Sequence, residues 1–125
     1  MPVTYRIDDD VVQMTLDGDI PPDDVLRTFD HVLVDPTCPP RFVLLFDVRK
    51  STSLARRPTE DIIRVASYLG PHKERVARCA VVATEDVHFG LSRIGAAFCE
   101  AGGVVTNVFR DRDEAMAWLR SDSTH

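Results

Sequence analysis

Apolar residues fall in short blocks along this chain, and the spacing within each block predicts its structure. Val3 to Ile7 has strand character, and Val11, Val12, Met14 and Leu16 form a second strand beyond the acidic turn Asp8-Asp9-Asp10. A short polar link between two such runs predicts an antiparallel hairpin. Asp17-Gly18-Asp19 breaks the second strand. Pro21-Pro22-Asp23-Asp24 then opens a helix, with proline in the first turn and carboxylates against the N-terminal dipole. Val25, Leu26, Phe29, Val32 and Leu33 continue at helical spacing until Asp35-Pro36 stops them. Val43 to Phe46 is a continuous apolar run, too short for a helix, and reads as a strand buried on both faces that ends in Asp47.

Pro58-Thr59-Glu60-Asp61 starts a second helix, with Ile62, Ile63, Val65, Ala66 and Leu69 inward and Gly70-Pro71 at its end. Ala80 to Ala83 is another buried strand. Thr84-Glu85-Asp86 is a capping signal for a third helix, which carries Phe89, Leu91, Ile94, Ala97 and Phe98 and stops at Gly102-Gly103. Val104 to Phe109 is the last strand, and Asp111 or Asp113 caps a final helix with Ala115, Met116, Trp118 and Leu119 inward. The order β-β-α-β-α-β-α-β-α predicts an α/β fold: one domain over residues 1–120, a mixed, mostly parallel five-stranded sheet with four helices, then a disordered tail over residues 121–125.

Composition narrows the class. The 125 residues are 44% hydrophobic, enough for a real core, and the net charge of −5 provides no basic footprint for nucleic acid or anionic membrane surfaces. No apolar run is long enough to span a bilayer, so no integral membrane segment is expected. Met1 to Arg6 lacks the basic-then-apolar pattern of a signal peptide, which makes the cytoplasm the expected location. Cys38, Cys79 and Cys99 are odd in number and widely spaced, against structural zinc or a disulfide framework. Cys79 and Cys99 sit in apolar runs as small hydrophobes; Cys38, in a loop without an adjacent cation, reads as inert.

Taken together, the pieces resemble the SpoIIAA-like family, small stand-alone relatives of STAS domains. The resemblance rests on Leu16-Asp17-Gly18-Asp19-Ile20, Leu45-Phe46-Asp47-Val48-Arg49, Ala80-Val81-Val82-Ala83, Val108-Phe109-Arg110-Asp111 and Glu114 to Leu119, in that order. It implies a non-enzymatic domain, regulatory through contact with another protein or with itself as a homodimer. The family also resembles lipid-carrying CRAL-TRIO domains, which implies an apolar or lipid-like ligand as the alternative. Antagonist-type STAS domains follow the strand aspartate with an Asp-Ser pair whose serine is phosphorylated. Asp47 matches the aspartate, but Leu54-Ala55-Arg56-Arg57-Pro58-Thr59 stands where the pair is expected, so the switch does not carry over.

Two segments hold the candidate chemistry, both at the ends of predicted parallel strands. Asp47, Arg49, Ser51, Ser53, Arg56, Arg57 and Thr59 gather cations and hydroxyls beside a helix N-terminus, a setting for an anion or for a phosphorylated Ser51, Ser53 or Thr59 held by arginine. The plainer alternative pairs Asp47 with Arg49 and leaves the rest in water. On the second segment His88 offers a base or pH sensor, its plainer reading a surface histidine, and Arg93 follows on the same helix. Ser51 or Ser53, His88 and Asp86 or Asp47 compose a hydrolase triad on paper, but the Gly-x-Ser-x-Gly elbow is missing. His31 and His72 read as surface residues, and no cofactor or metal is expected. A third candidate is an apolar pocket among Phe29, Phe42, Phe46, Phe89, Phe98, Phe109 and Trp118, against ordinary core packing.

Overall fold

The computed structural model describes residues 3–121; of the tail expected over residues 121–125, Ser121 is instead the C-cap of the last helix and accepts from Arg78, and residues 122–125 lie outside the described residues. Strands β1 (Val3–Asp8) and β2 (Val11–Gly18) form the hairpin. Three crossover units follow: α1 (Pro22–Val34) leads to β3 (Phe42–Ser51), α2 (Thr59–Ser67) to β4 (Val76–Val82), and α3 (Asp86–Ala101) to β5 (Thr106–Phe109). Helix α4 (Arg112–Arg120) closes the chain. The sheet order is β1-β2-β3-β4-β5, antiparallel only between β1 and β2. This is the predicted α/β architecture: five strands in a mixed, mostly parallel sheet, with four helices.

Because the sheet grows in one direction, same-handed crossovers put α1, α2 and α3 on one face. Their core joins Val12, Met14, Leu16, Leu44 and Val48 of the sheet to Val25, Phe29, Val32, Ala66 and Cys99 of the helices. Only α4 returns to the other face, where Ala115, Met116 and Leu119 cover Val11, Val43, Leu45, Ala80 and Val82.

Several boundaries differ from the sequence reading. Strand β3 runs on to Ser51, so Asp47 lies inside it rather than at its end. Pairing explains the extension: after a bulge between Thr15 and Asp17, Asp17 and Gly18 of β2 still face Lys50 and Ser51. Strand β4 begins at Val76 rather than Ala80, while β5 is shorter than expected and starts at Thr106. Two short 3-10 turns, Leu54–Arg56 and Gly70–His72, flank α2. Asp111 caps α4 through the Glu114 N–H, as one of the two alternatives held. The capping signal at Thr84-Glu85-Asp86 makes no side-chain cap: Glu85 occupies the cap position with its carboxylate elsewhere.

The main reversal concerns α3. Its apolar spacing predicts Ile94, Ala97 and Phe98 inward, yet Ile94 and Phe98 are each 39% exposed. The helix instead buries His88, Ser92, Gly95 and Cys99. Close packing on α2 favours this: a Cβ on Gly95 would stand 3.3 Å from the Ile62 Cγ2, so a larger residue would have to push Ile62 aside. Gly102 likewise lies against Gly70, its absent Cβ 3.2 Å from the Gly70 Cα.

Candidate functional site

Beyond His88 the buried residues of α3 are small, Ser92, Gly95 and Cys99, and α2 buries Ala66. Opposite them stand the large side chains Leu44, Phe46 and Val48 of β3. Small groups facing the sheet leave volume unfilled, and a cavity of about 120 Å³ lies between sheet and helices. Its wall is almost wholly apolar, with Met14 and Leu16 from β2, Leu26 and Phe29 from α1, and Ala96 and Cys99 from α3. Polar groups gather where β3 runs out: Ser51, Ser53, Arg57 and Asp61, with Ser92 from α3.

These polar groups form a latch. The Ser53 Oγ accepts from the Ile20 N–H at 3.2 Å. Arg57 donates through Nη2 to the Asp19 Oδ1 at 3.0 Å, and its Nη1 lies 3.8 Å from the Asp61 Oδ2. The Ser53 hydroxyl first, then Arg57, holds the Asp19 carboxyl below its ordinary range. Arg57 Nε is buried without a partner, on a side chain that spans from the α1 entry to the start of α2.

The sequence candidates separate into three places. Ser51, Ser53 and Arg57 line the cavity, and Leu91 and Ser92 of the second segment line it too, so both segments do converge. Asp47 and Arg49 point to the α4 side of the sheet instead. Asp47 is 5% exposed and takes three hydrogen bonds from Arg49, through the backbone N–H at 3.0 Å, Nε at 3.0 Å and Nη2 at 2.8 Å. Burial raises the Asp47 pKa, but the Arg49 hydrogen bonds and charge outweigh it and the net direction is downward. This is the pairing of the plainer reading. Arg56 and Thr59 are exposed at the loop and the first turn of α2. Arg93 is exposed on α3 and does not line the cavity.

His88 is buried, not a surface residue, and its Nδ1 stands 3.2 Å from the Glu85 Oε2 without hydrogen-bond alignment. Among the described residues no hydrogen bond joins it to Ser51 or Ser53. Asp86, the other triad candidate, is bound by Arg110 at 2.8 Å. Arg110 also lies over the Phe89 ring at 4.3 Å, which ties the α3 entry to the end of β5. Of the other histidines, His31 is exposed as expected, but His72 packs edge-on against Phe29 and is only partly exposed. Burial raises the thiol pKa of Cys79, Cys99 and Cys38, which leaves each a poor nucleophile at neutral pH. Among the described residues no cluster of His, Cys, Asp or Glu could hold a metal ion, and no helix is long and apolar enough to cross a membrane.

The stripe Ser92, Gly95, Ala96 and Cys99 is the signal the periodicity argument missed. Small residues at i, i+3, i+4 and i+7 mark a helix face as clearly as large ones do. Arg57 with Asp19 carried no local signal, because 38 residues separate them.

No protein-family model and no curated protein matches the chain. Among solved structures it is similar to the crystal structure of an uncharacterised protein of the DUF3478 family from Shewanella loihica PV-4. The TM-score is 0.60 at 16% sequence identity, over 94% of this chain and 91% of that one. That structure is described as having a SpoIIAA-like fold. The resemblance carried by the sequence motifs and the arrangement of sheet and helices therefore agree: this chain has the SpoIIAA-like α/β fold.

Proposed function

We propose that this protein is a non-enzymatic domain that binds a small apolar molecule between its sheet and its helices. The carrying observation is the apolar cavity of about 120 Å³ beneath α2 and α3. An engineered apolar cavity of about 150 Å³ stays dry and accepts benzene. The matching ligand here is therefore compact: an aromatic ring or a short branched chain. The Arg57 latch lies at the polar end of the cavity, where a ligand with one polar atom meets the unpartnered Nε. The serines nearby are occupied by structural bonds or burial rather than poised beside a base, which favours binding over hydrolysis.

Ligand-linked stability tests the reading. A saturating apolar ligand at about 100 times its dissociation constant stabilises the folded state by about 2.7 kcal/mol. Ala96→Leu places about three more carbons in the cavity. It is expected to raise the stability of the unliganded protein by about 1 kcal/mol and to abolish stabilisation by small aromatics such as benzene and indole. Equal stabilisation of both proteins would contradict the proposal.

A second reading, contact with another protein or a second copy of the chain, is favoured by the outward side of α3. Val87 is 54% exposed, and Ile94 and Phe98 follow it on the same helix side at 39% each. Exposed apolar stripes of this kind mark contact surfaces. The two readings share a helix, since Leu91 of α3 lines the cavity. Phe98→Ser is expected to leave stability within about 0.5 kcal/mol of the parent and to remove self-association in sedimentation experiments. A wild-type chain that sediments as a monomer at every concentration would count against self-association through this stripe.

A further inference from the structure

The second face of the sheet is only half covered. Helix α4 packs mainly on β3, β4 and β5 and reaches the β1–β2 hairpin only at its near edge, through Val11 and Gln13. Beside α4 on this half of the face lies a polar groove of about 280 Å³ lined by Arg6, Asp8, Gln13, Arg112, Asp113 and Arg120, with Val11 and Met116 beneath. Arg6 and Gln13 are directly opposite each other across the β1–β2 ladder, so both side chains project from one face. Arg112 reaches over from the first turn of α4 and donates through Nη2 to the Gln13 Oε1 at 2.7 Å. Two arginines, one from β1 and one from α4, thus line the same groove.

Five arginines meet carboxylates, Arg27 with Asp24, Arg49 with Asp47, Arg57 with Asp19, Arg64 with Asp23 and Arg110 with Asp86, while among the described residues Arg41, Arg56, Arg75, Arg78, Arg93 and Arg120 form no ion pair. Among the described residues neither Arg6 nor Arg112 forms an ion pair, although the chain carries a net charge of −5 and has carboxylates to spare. Like charges brought together on a sheet face repel, and an anion between them reverses that. The planar forks of two arginines match a phosphate group by paired hydrogen bonds. The groove is several times the roughly 30 Å³ share of one water molecule, so a phosphate group fits with room beyond it. Asp8 and Asp113 at its border accept hydrogen bonds and suit hydroxyl groups on the rest of the ligand.

We propose that this groove binds a small phosphate ester, its phosphate held between Arg6 and Arg112 and its hydroxyl groups turned to Asp8 and Asp113. The site is separate from the apolar cavity, on the opposite face of the sheet, and stands or falls without it.

NMR titration of the full chain with inorganic phosphate, ribose 5-phosphate and, at matched ionic strength, sodium chloride tests the proposal. Both phosphates are expected to shift the Gln13 side-chain amide and the Nε–H signals of Arg6 and Arg112 in a saturable way, with ribose 5-phosphate the tighter. Arg112→Gln is expected to weaken both about tenfold or more, the loss of one charge-assisted pair. Arg6→Gln provides the same comparison from β1 should Arg112→Gln disturb α4, and a well-dispersed spectrum verifies the fold of either. Shifts that chloride reproduces, or affinities unchanged in both variants, would overturn the site. Equal affinity for the two phosphates would overturn the role of Asp8 and Asp113.

Discussion

Phe42→Ala is expected to lower the free energy of unfolding by about 3–5 kcal/mol. Phe42 opens β3 and is 1% exposed, so truncation leaves a void rather than a surface notch. Its backbone N–H donates to the Arg75 carbonyl at 2.8 Å, and the Arg75 guanidinium stands 5.7 Å from the ring centroid. Arg75 in turn donates to carbonyls of Pro39, Pro40 and Leu33, so the ring supports the whole connection from α1 to β3. Stability of a domain is about 5–15 kcal/mol, so this variant approaches the unfolding threshold. Urea denaturation gives the value. A loss under about 1 kcal/mol would mean that the ring is not packed as described.

Arg49→Met is expected to cost about 2–3 kcal/mol at neutral pH, because it leaves the Asp47 carboxylate buried with one backbone N–H in place of three donors. Asp47→Asn removes the charge along with the pair and is expected to cost about 1 kcal/mol. The pH dependence separates the two. In the parent protein the folded Asp47 pKa is lowered, so its contribution is present above the unfolded value of about 3.9 and is lost as pH falls through the folded one. Without Arg49, desolvation dominates and the folded pKa rises above the unfolded one. Protonation then relieves the variant while it weakens the parent. The stability gap between parent and Arg49→Met therefore narrows toward roughly pH 4, whereas the gap for Asp47→Asn narrows only through the parent's own loss. Denaturation curves at neutral and acid pH check this, and a gap for Arg49→Met that widens on acidification would contradict it.

The element order was legible because the punctuation is strong. Pro21-Pro22, Asp35-Pro36 and Gly102-Gly103 stop and start elements by backbone constraint alone, whatever packs around them. Alternation in the hairpin and continuous apolar runs in β3 and β4 then place the sheet. What failed depended on partners distant in sequence. Strand β3 extends past its apolar run because β2 pairs with it, and no property of Asp47 or Arg49 alone announces that. The rotation of α3 hides in a competition between two stripes on one helix. Ile94 and Phe98 argue for one face and Ser92, Gly95 and Cys99 for the other, and the close approach to Ile62 favours the second.

The same competition produces the cavity. Had Ile94 and Phe98 turned inward, their volume would fill the space that Ser92, Ala96 and Cys99 leave open. Helix α3 gives up core volume and keeps a pocket beneath it and an apolar stripe above it.

The most direct test of the central claim is a methyl NMR titration with benzene. Leu44 and Val48 are each 2% exposed and Val81 9%, and all three line the cavity, so their methyl groups report its contents. Saturable ring-current shifts are expected at these three residues in the parent protein and none in Ala96→Leu. Absent or non-saturable shifts at Leu44, Val48 and Val81, or equal shifts in the two proteins, would contradict that claim.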